Sequence, residues 1–570
     1  MVSSPLAKSS TELLDDGQMA LVSVPVPAGL EPGSEDDHGE VFTKRWVVEL
    51  ILDLCGYTAD KDLGGLTAVE PACGTGAFLV PMVERLIDSA EAFDRSPGDC
   101  HEAIRATDLL ARNVAESREA VANVLMDRGI GGGKASSLSE SWVAQADFLL
   151  NPPLPGTADF VVGNPPYVRL EAIPAARSAA YRHFCPTMGG RADLYIGFYE
   201  KGLKALRKDG YLGFICADRW MRNAYGSRLR DLISSGWSTE AIINMTGVDA
   251  FESEVDAYPA ITVFRRATQG RGPLIVNANP SFGAEAGAEV SEIAMTGKPS
   301  GDNSKEFSAA RLPQWFRGSA GWPSGSPEIL SVVADLEARL PPLEDSSTGT
   351  KVGIGVATGA DKVFIVDDAP GVEQERLLAL ATVRDIADGK VNWSGRKLVN
   401  PWNAEGLVSL DQWPGLSDYL DGHRDLLKAR HTAKSGNWHK TIDRVIDGLT
   451  DRPKLYIPDF KEAIFPVLDE GGTYPHHNLY WVTSDEWDLR VLGGLLLSDI
   501  SNMFIESYSV RMRGGYLRFQ AQYLRKIRLP EIQKVEPEDA ERLAEAFERR
   551  DRAAATEVAL PLYGIDRLPN

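Results

Sequence analysis

From residue 38 to 266, short apolar runs alternate with longer segments whose apolar positions recur every three or four residues. Six short runs predict buried strands, because a strand covered on both faces carries an unbroken apolar stretch. They are LTAVE (66–70), AIRATD (103–108), DFVVG (159–163), YLGFICA (211–217), AIINMTG (241–247) and AITVFR (260–265). The longer segments WVVELILDLCG (46–56), AFLVPMVERLIDSAEAF (77–93), ARNVAESREAVANVLMDRG (111–129) and LYIGFYEKGLKALRKDG (194–210) predict amphipathic helices. Strand and helix in alternation predict an α/β fold, a doubly wound and mostly parallel sheet. Such sheets take ligands beyond the carboxyl ends of their strands.

Outside that block the pattern changes. Residues 1–37 are acidic and broken by Pro and Gly, and are expected to be disordered. Residues 267–325 turn to Gly, Pro, Ser and Asn and read as a connector. Residues 326–535 mix α and β signals and are rich in Trp and Tyr, while 536–570 close on a charged amphipathic helix pair. A chain of 570 residues exceeds one ordinary core, so this division is expected on size as well.

Composition narrows the class. No apolar run approaches a membrane span, and MVSSPLAKSS lacks the features of a secretory signal. The five scattered cysteines form no CxxC pair, and no HExxH occurs, so neither a disulfide framework nor a metal is expected and a cytoplasmic location fits. The net charge of −21 argues against nucleic acid as partner, but it is unevenly spread. Residues 1–40 hold eight acidic groups against one Lys, and 531–570 hold ten against six basic ones. By contrast, residues 508–528 carry Arg511, Arg513, Arg518, Arg525, Lys526 and Arg528 with no acid. Screening confines fields to about 8 Å at physiological salt, so this local patch can still meet phosphates.

Two motifs carry candidate chemistry. AVEPACGTGAFLV (68–80) is a strand, a glycine turn at Gly74 and Gly76, and a helix, the arrangement that lets a bulky ligand lie on the turn. It lacks both the full dinucleotide fingerprint and the Lys-Ser/Thr of a phosphate loop. Asp108 ends the next strand, where an acid can accept from ribose hydroxyls. Asp147 and Phe148 can accept from an adenine amine and cover the ring, and Thr43 can approach an amino-acid tail. Together these describe a site for adenosine with a short polar tail and no phosphates, which is S-adenosylmethionine.

The second motif is GNPPY (163–167). Methylating an adenine amine calls for two acceptors, one for each hydrogen, because the nitrogen lone pair is delocalised into the ring. The Asn164 side-chain oxygen and the Pro165 carbonyl can supply them; Pro166 holds Pro165 extended and Pro165 does the same to Asn164, so both are pre-aimed. Tyr167 offers a face on which an extruded base can stack.

With HGEVFT, EPACGTGAFL, ADFLL, GNPPY, DLYIGFYEKGLKALRKDGYLGFI and AFESEVDAYPAITVFRR in that order, the chain resembles the TaqI-type gamma-class adenine DNA methyltransferases of restriction–modification and phage-defence systems. The resemblance implies a Rossmann-like class I methyltransferase sheet followed by a mixed α/β target-recognition domain. It implies cofactor contacts from Thr43, Glu70, Ala72, Gly74, Gly76, Asp108, Asp147 and Phe148. Asn164, Pro165, Pro166 and Tyr167 would handle a flipped adenine, with Phe251 as a second aromatic. Two positions depart from the pattern: Lys44 replaces a usual Pro, and Leu110 replaces a second acid after Asp108. The expected partner is double-stranded DNA, held by the arginine-rich 511–528, and any nuclease is expected on a separate polypeptide or defence subunit. Methylation of cytosine amines, RNA or protein glutamine stays open on sequence, as does a DNA-sensing scaffold active only with partners.

Overall fold

The computed structural model describes residues 41–253, 258–296, 306–509 and 516–569; the acidic N-terminal tail, Arg511 and Arg513 lie outside them. Its largest sheet has nine strands: β1 (Ala68–Glu70), β2 (Ile104–Asp108), β3 (Val143–Gln145), β4 (Ala158–Gly163), β5 (Leu206–Ala217), β6 (Ser238–Asn244), β7 (Pro259–Arg265), β8 (Leu274–Ala278) and β9 (Phe307–Arg311). Their order is β3-β2-β1-β4-β5-β7-β6-β8-β9. The first five run parallel, β7 is antiparallel to both neighbours, β8 is parallel to β6, and β9 is antiparallel to β8. This is the expected Rossmann-like, mostly parallel sheet.

Both faces of the sheet are covered, which is why its strands read as continuous apolar runs. Phe160 and Val162 of β4 join one core, with α1 (Arg45–Cys55), α2 (Leu79–Ala92), α3 (Ala111–Asp127) and α4 (Gly132–Trp142). Ala158 and Val161 join the other, with α5 (Ala175–Phe184), α6 (Tyr195–Ala205) and α7 (Ser227–Gly236). Ala68 of β1 stands opposite both Ile104 of β2 and Phe160 of β4. The strand order therefore reverses beside β1, and the loops leaving β1 and β4 open side by side onto one crevice.

Two expectations are corrected. The stretch 267–325 is not only a connector: β8 and β9 form one end of the nine-stranded sheet, with α8 (Ala284–Thr296) between them. Leu274, Val276, Phe307 and Ala309 are buried there, while Gly270, Gly272, Pro273 and Pro280 lie between the elements. The helix read over 194–210 ends at Ala205, because Leu206 is buried and pairs with Ala158 at the start of β5. Asp209 follows at φ +67°, outside any helix.

Beyond the helix Pro327–Arg339 lie two further four-stranded sheets. One joins β10 (Lys351–Ile354), β18 (Leu479–Thr483), β14 (Lys454–Pro458) and β16 (Val467–Asp469), and the other β11 (Ile365–Val366), β13 (Lys397–Val399), β12 (Leu377–Ala381) and β17 (Tyr474–Pro475). A small ribbon pairs β15 (Phe460–Lys461) with β19 (Leu517–Arg518). The amphipathic ending forms two helices, Pro537–Arg549 and Arg552–Leu562, and the first packs Leu543 and Phe547 into the same core as Leu492 and Leu496.

Candidate active site

The crevice beside β1 is a cavity of about 380 Å³, a size that takes a drug-sized ligand. Its wall includes Thr43, Glu70, Ala72, Gly74, Asp108, Asp147, Phe148, Asn164, Pro165 and Pro166. Residues from five separate stretches of chain thus meet in one place. Gly76, Tyr167 and Phe251 stand outside that wall.

The glycine turn is built by its own residues. Gly74 and Gly76 have φ of +52° and +101°, values that strain any L side chain, and Gly76 N–H donates to Cys73 O at 2.9 Å. Asp108 anchors the turn: one carboxylate oxygen accepts from Gly74 N–H (2.9 Å), the other from Leu110 N–H (2.9 Å) and Asn113 Nδ2 (3.1 Å). Asp108 therefore ties the glycine turn to the chain leaving β2. Glu70 differs. It is 1 % exposed, and its Oε2 accepts no hydrogen bond from any described residue. Burial, helped by the negative charge of Asp108, pushes its carboxyl well above the ordinary glutamate value.

Asp147 Oδ2 accepts from the Tyr181 hydroxyl at 2.7 Å and Oδ1 from Leu149 N–H at 3.1 Å. Burial nevertheless raises its pKa, opposed by the Tyr181 bond and the Arg177 charge. Phe148 stacks on Phe198 with centroids 5.4 Å apart and planes 20° from parallel. Tyr181 and Arg177 of α5, both in the cavity wall, could not be picked out from sequence because AARSAAYRHF carries no motif.

At the end of β4, Asn164 is held by its amide nitrogen. Nδ2 donates to Val41 O (2.8 Å) and to Thr43 Oγ1 (3.1 Å), while Oδ1 is buried and accepts no bond from any described residue. The donor side is spent on the protein and the acceptor side is left for a ligand. Residues 42–44 are themselves fixed against 250–252, with Lys44 N–H to Ala250 O at 3.0 Å and Glu252 N–H to Phe42 O at 2.9 Å. That pairing brings Phe251 beside Thr43. The Phe251 ring lies 6.4 Å from that of Tyr167, edge to face at 83°.

The arginine-rich stretch is less free than its composition suggests. Arg518 is paired with Asp459 (2.7 Å), Arg525 with Glu344 (2.9 Å) and Arg528 with Glu337 (3.9 Å). Lys526 lies over the Tyr508 ring at 4.7 Å.

The site fits a methyl donor of the expected kind. Glu70 Oε2 is an unfilled acceptor for hydroxyls, the turn at Gly74 and Gly76 leaves its backbone bare, and Phe148 lines the wall with a ring. The family model for Eco57I restriction-modification methylases matches residues 137–251. The chain is 43 % identical over 559 residues to the Type II methyltransferase M.PaeR7I of Pseudomonas aeruginosa, covering 96 % of each. It is 42 % identical over 542 residues to the Type II methyltransferase M.XhoI of Xanthomonas vasicola, covering 93 % of this chain and 98 % of that one. Among solved structures, the Type IIL restriction-modification enzyme MmeI in complex with DNA matches with a TM-score of 0.50 and 14 % identity, over 92 % of this chain and 74 % of that one; this is a likeness of fold.

Proposed function

The chain belongs to the Type II methyltransferases of restriction–modification systems, and from that premise we propose that it methylates the exocyclic amine of an adenine flipped out of duplex DNA. S-adenosylmethionine is the methyl donor, its sulfonium supplying an activated methyl and leaving as a neutral thioether. The observation that carries the reading is the Asn164 amide, whose nitrogen is engaged and whose buried oxygen is free.

The protein's part is positional and electrostatic. Asn164 Oδ1 and the Pro165 carbonyl accept one amino hydrogen each, drawing the nitrogen from planar toward tetrahedral as positive charge grows on it, and the methylated amine then releases one proton to water. Preorganisation is built in, since the Asn164 side chain cannot turn without breaking two hydrogen bonds. Glu70 receives ribose hydroxyls, and Ala72, Gly74 and Phe148 complete the donor's pocket, with Gly76 shaping the turn and Thr43 aiming Asn164. Tyr167 and Phe251 bracket the extruded base by stacking and edge contact. The sheets over 326–535 serve as the target-recognition domain, with Arg511 and Arg513 as its contacts to DNA phosphates.

Asn164→Ala tests this reading. Turnover should fall by about 10²–10³-fold, the cost of losing one preorganised polar group, with S-adenosylhomocysteine affinity retained. Labelled-methyl transfer to duplex DNA, followed by nucleoside mass spectrometry, should show N6-methyladenine. Methylcytosine, methylated RNA or methylglutamine as the product would reject the assignment.

A further inference from the structure

Arg177 stands third in α5, one turn before Tyr181, so both side chains leave the same face of the helix toward the cavity. Tyr181 completes a bond to Asp147. Arg177 completes none there. It is only 4 % exposed, and its Nε and Nη2 donate to no described residue. A buried guanidinium with unmatched donors is costly, and folded proteins keep one only where something else accepts from it. Since Arg177 lines the cavity, the acceptor belongs to whatever fills that cavity.

The chemistry of the surroundings limits the choice. The wall around Asp147 and Arg177 is supplied by Phe148, Ile173, Pro174 and Phe198, an apolar and aromatic lining suited to a flat heterocycle. A ligand carboxylate would face the Asp147 charge. A purine edge presents an amine next to ring nitrogens, a donor beside acceptors, and Asp147 with Arg177 presents the complement.

We propose that Arg177 binds the cofactor's adenine by donating to a ring nitrogen while Asp147 accepts from the exocyclic amine. This rests on the reading of the cavity as the S-adenosylmethionine site. It adds a specificity element from α5, a helix outside the motif-bearing loops, and it makes the pair selective for adenine. A hypoxanthine ring would turn a carbonyl toward Asp147, acceptor against acceptor, and would be refused there.

Calorimetric titration of the full chain without DNA decides it, using S-adenosylhomocysteine and its 1-deaza, 3-deaza and 7-deaza analogues. Arg177→Met should weaken S-adenosylhomocysteine binding roughly 10- to 100-fold, as expected when a bond from a charged donor is removed. One deaza analogue should lose similar affinity for the wild-type chain and lose nothing further on Arg177→Met. Unchanged S-adenosylhomocysteine affinity in that variant, as a role in holding DNA phosphate would give, overturns the proposal. So do three deaza analogues that all bind the wild type as well as the parent, a measurement that needs no variant to fold. A wild-type chain that binds no S-adenosylhomocysteine overturns the reading of the cavity itself.

Discussion

Thr43 Oγ1 accepts a hydrogen bond from Asn164 Nδ2 at 3.1 Å, across 121 positions of sequence. A hydroxyl just ahead of α1 thereby sets the rotation of the amide proposed to act at the end of β4. Its expected role was to touch the tail of the cofactor; its observed partner is Asn164.

Thr43→Val keeps the shape and removes the acceptor. Asn164 would retain one anchor, the Val41 carbonyl, and its oxygen would lose fixed aim. Removing an orienting bond of about 1–1.5 kcal/mol corresponds to roughly a tenfold fall in kcat. S-adenosylhomocysteine affinity should move less than about twofold, since no bond to the ligand is removed. Stopped-flow or single-turnover methylation alongside calorimetry checks the split; a rise in cofactor Kd with kcat unchanged would return Thr43 to the tail of the ligand.

Tyr167 donates only a long bond, 3.5 Å to Ile215 O, so its hydroxyl matters less than its ring. Tyr167→Phe should retain most activity. Tyr167→Ala should remove about 1–3 kcal/mol of base stacking and also leave Phe251 without its edge-to-face partner. Fluorescence of 2-aminopurine at the target position should fall in the alanine variant while duplex affinity stays within a few-fold. Equal losses in both would assign Tyr167 to general DNA binding.

Much of the fold was legible because a doubly covered sheet writes itself as apolar runs. All six expected strands are present, from Ala68 in β1 to Arg265 in β7. The misses have causes. β3 spans three residues and has a graded burial, too short for periodicity. β8 and β9 were hidden because Leu274–Ala278 and Phe307–Arg311 are brief apolar islands in a Gly- and Pro-rich stretch. In the site, Asn164, Glu70 and the Gly74 turn lie in local motifs and could be read. Tyr181 and Arg177 matter through the tertiary approach of α5 to Asp147, which no spacing in the sequence encodes.

Glu70 gives a pH dependence. Burial and the neighbouring Asp108 charge hold its folded pKa well above 4.5, so the folded chain keeps a proton that the unfolded chain has released. Its contribution to stability is complete below the unfolded value and is lost as pH rises toward the folded one. The ligand-free wild type should therefore lose melting temperature across that window relative to Glu70→Gln, which has no proton to release. Ribose hydroxyls donating to Glu70 favour its ionised form, so ligand binding at a pH inside the window should expel a proton. Calorimetry of S-adenosylhomocysteine in buffers of different ionisation enthalpy measures it; equal proton release in wild type and Glu70→Gln would place the titrating group elsewhere.

The arginine stretch separates into two expected behaviours. Arg518 is tied to Asp459, a carboxylate whose side chain is only 10 % exposed, and its guanidinium also lies 4.7 Å over the Phe460 ring. Arg518→Ala would leave Asp459 without its ion-pair partner and loosen the β15–β19 ribbon, so the main loss should be in stability, about 1–3 kcal/mol. Arg511 and Arg513 are proposed to meet phosphates. Replacing both by Ala should weaken binding to all duplexes alike. It should also flatten the dependence of log K on log salt by about 0.9 for each phosphate no longer neutralised, near 2 for the pair. Salt titrations of duplex affinity, read beside thermal melts, distinguish the two. A double variant with an unchanged salt slope would remove these arginines from the DNA backbone, whereas a slope change in Arg518→Ala without any loss of melting temperature would assign that residue to DNA in spite of its ion pair.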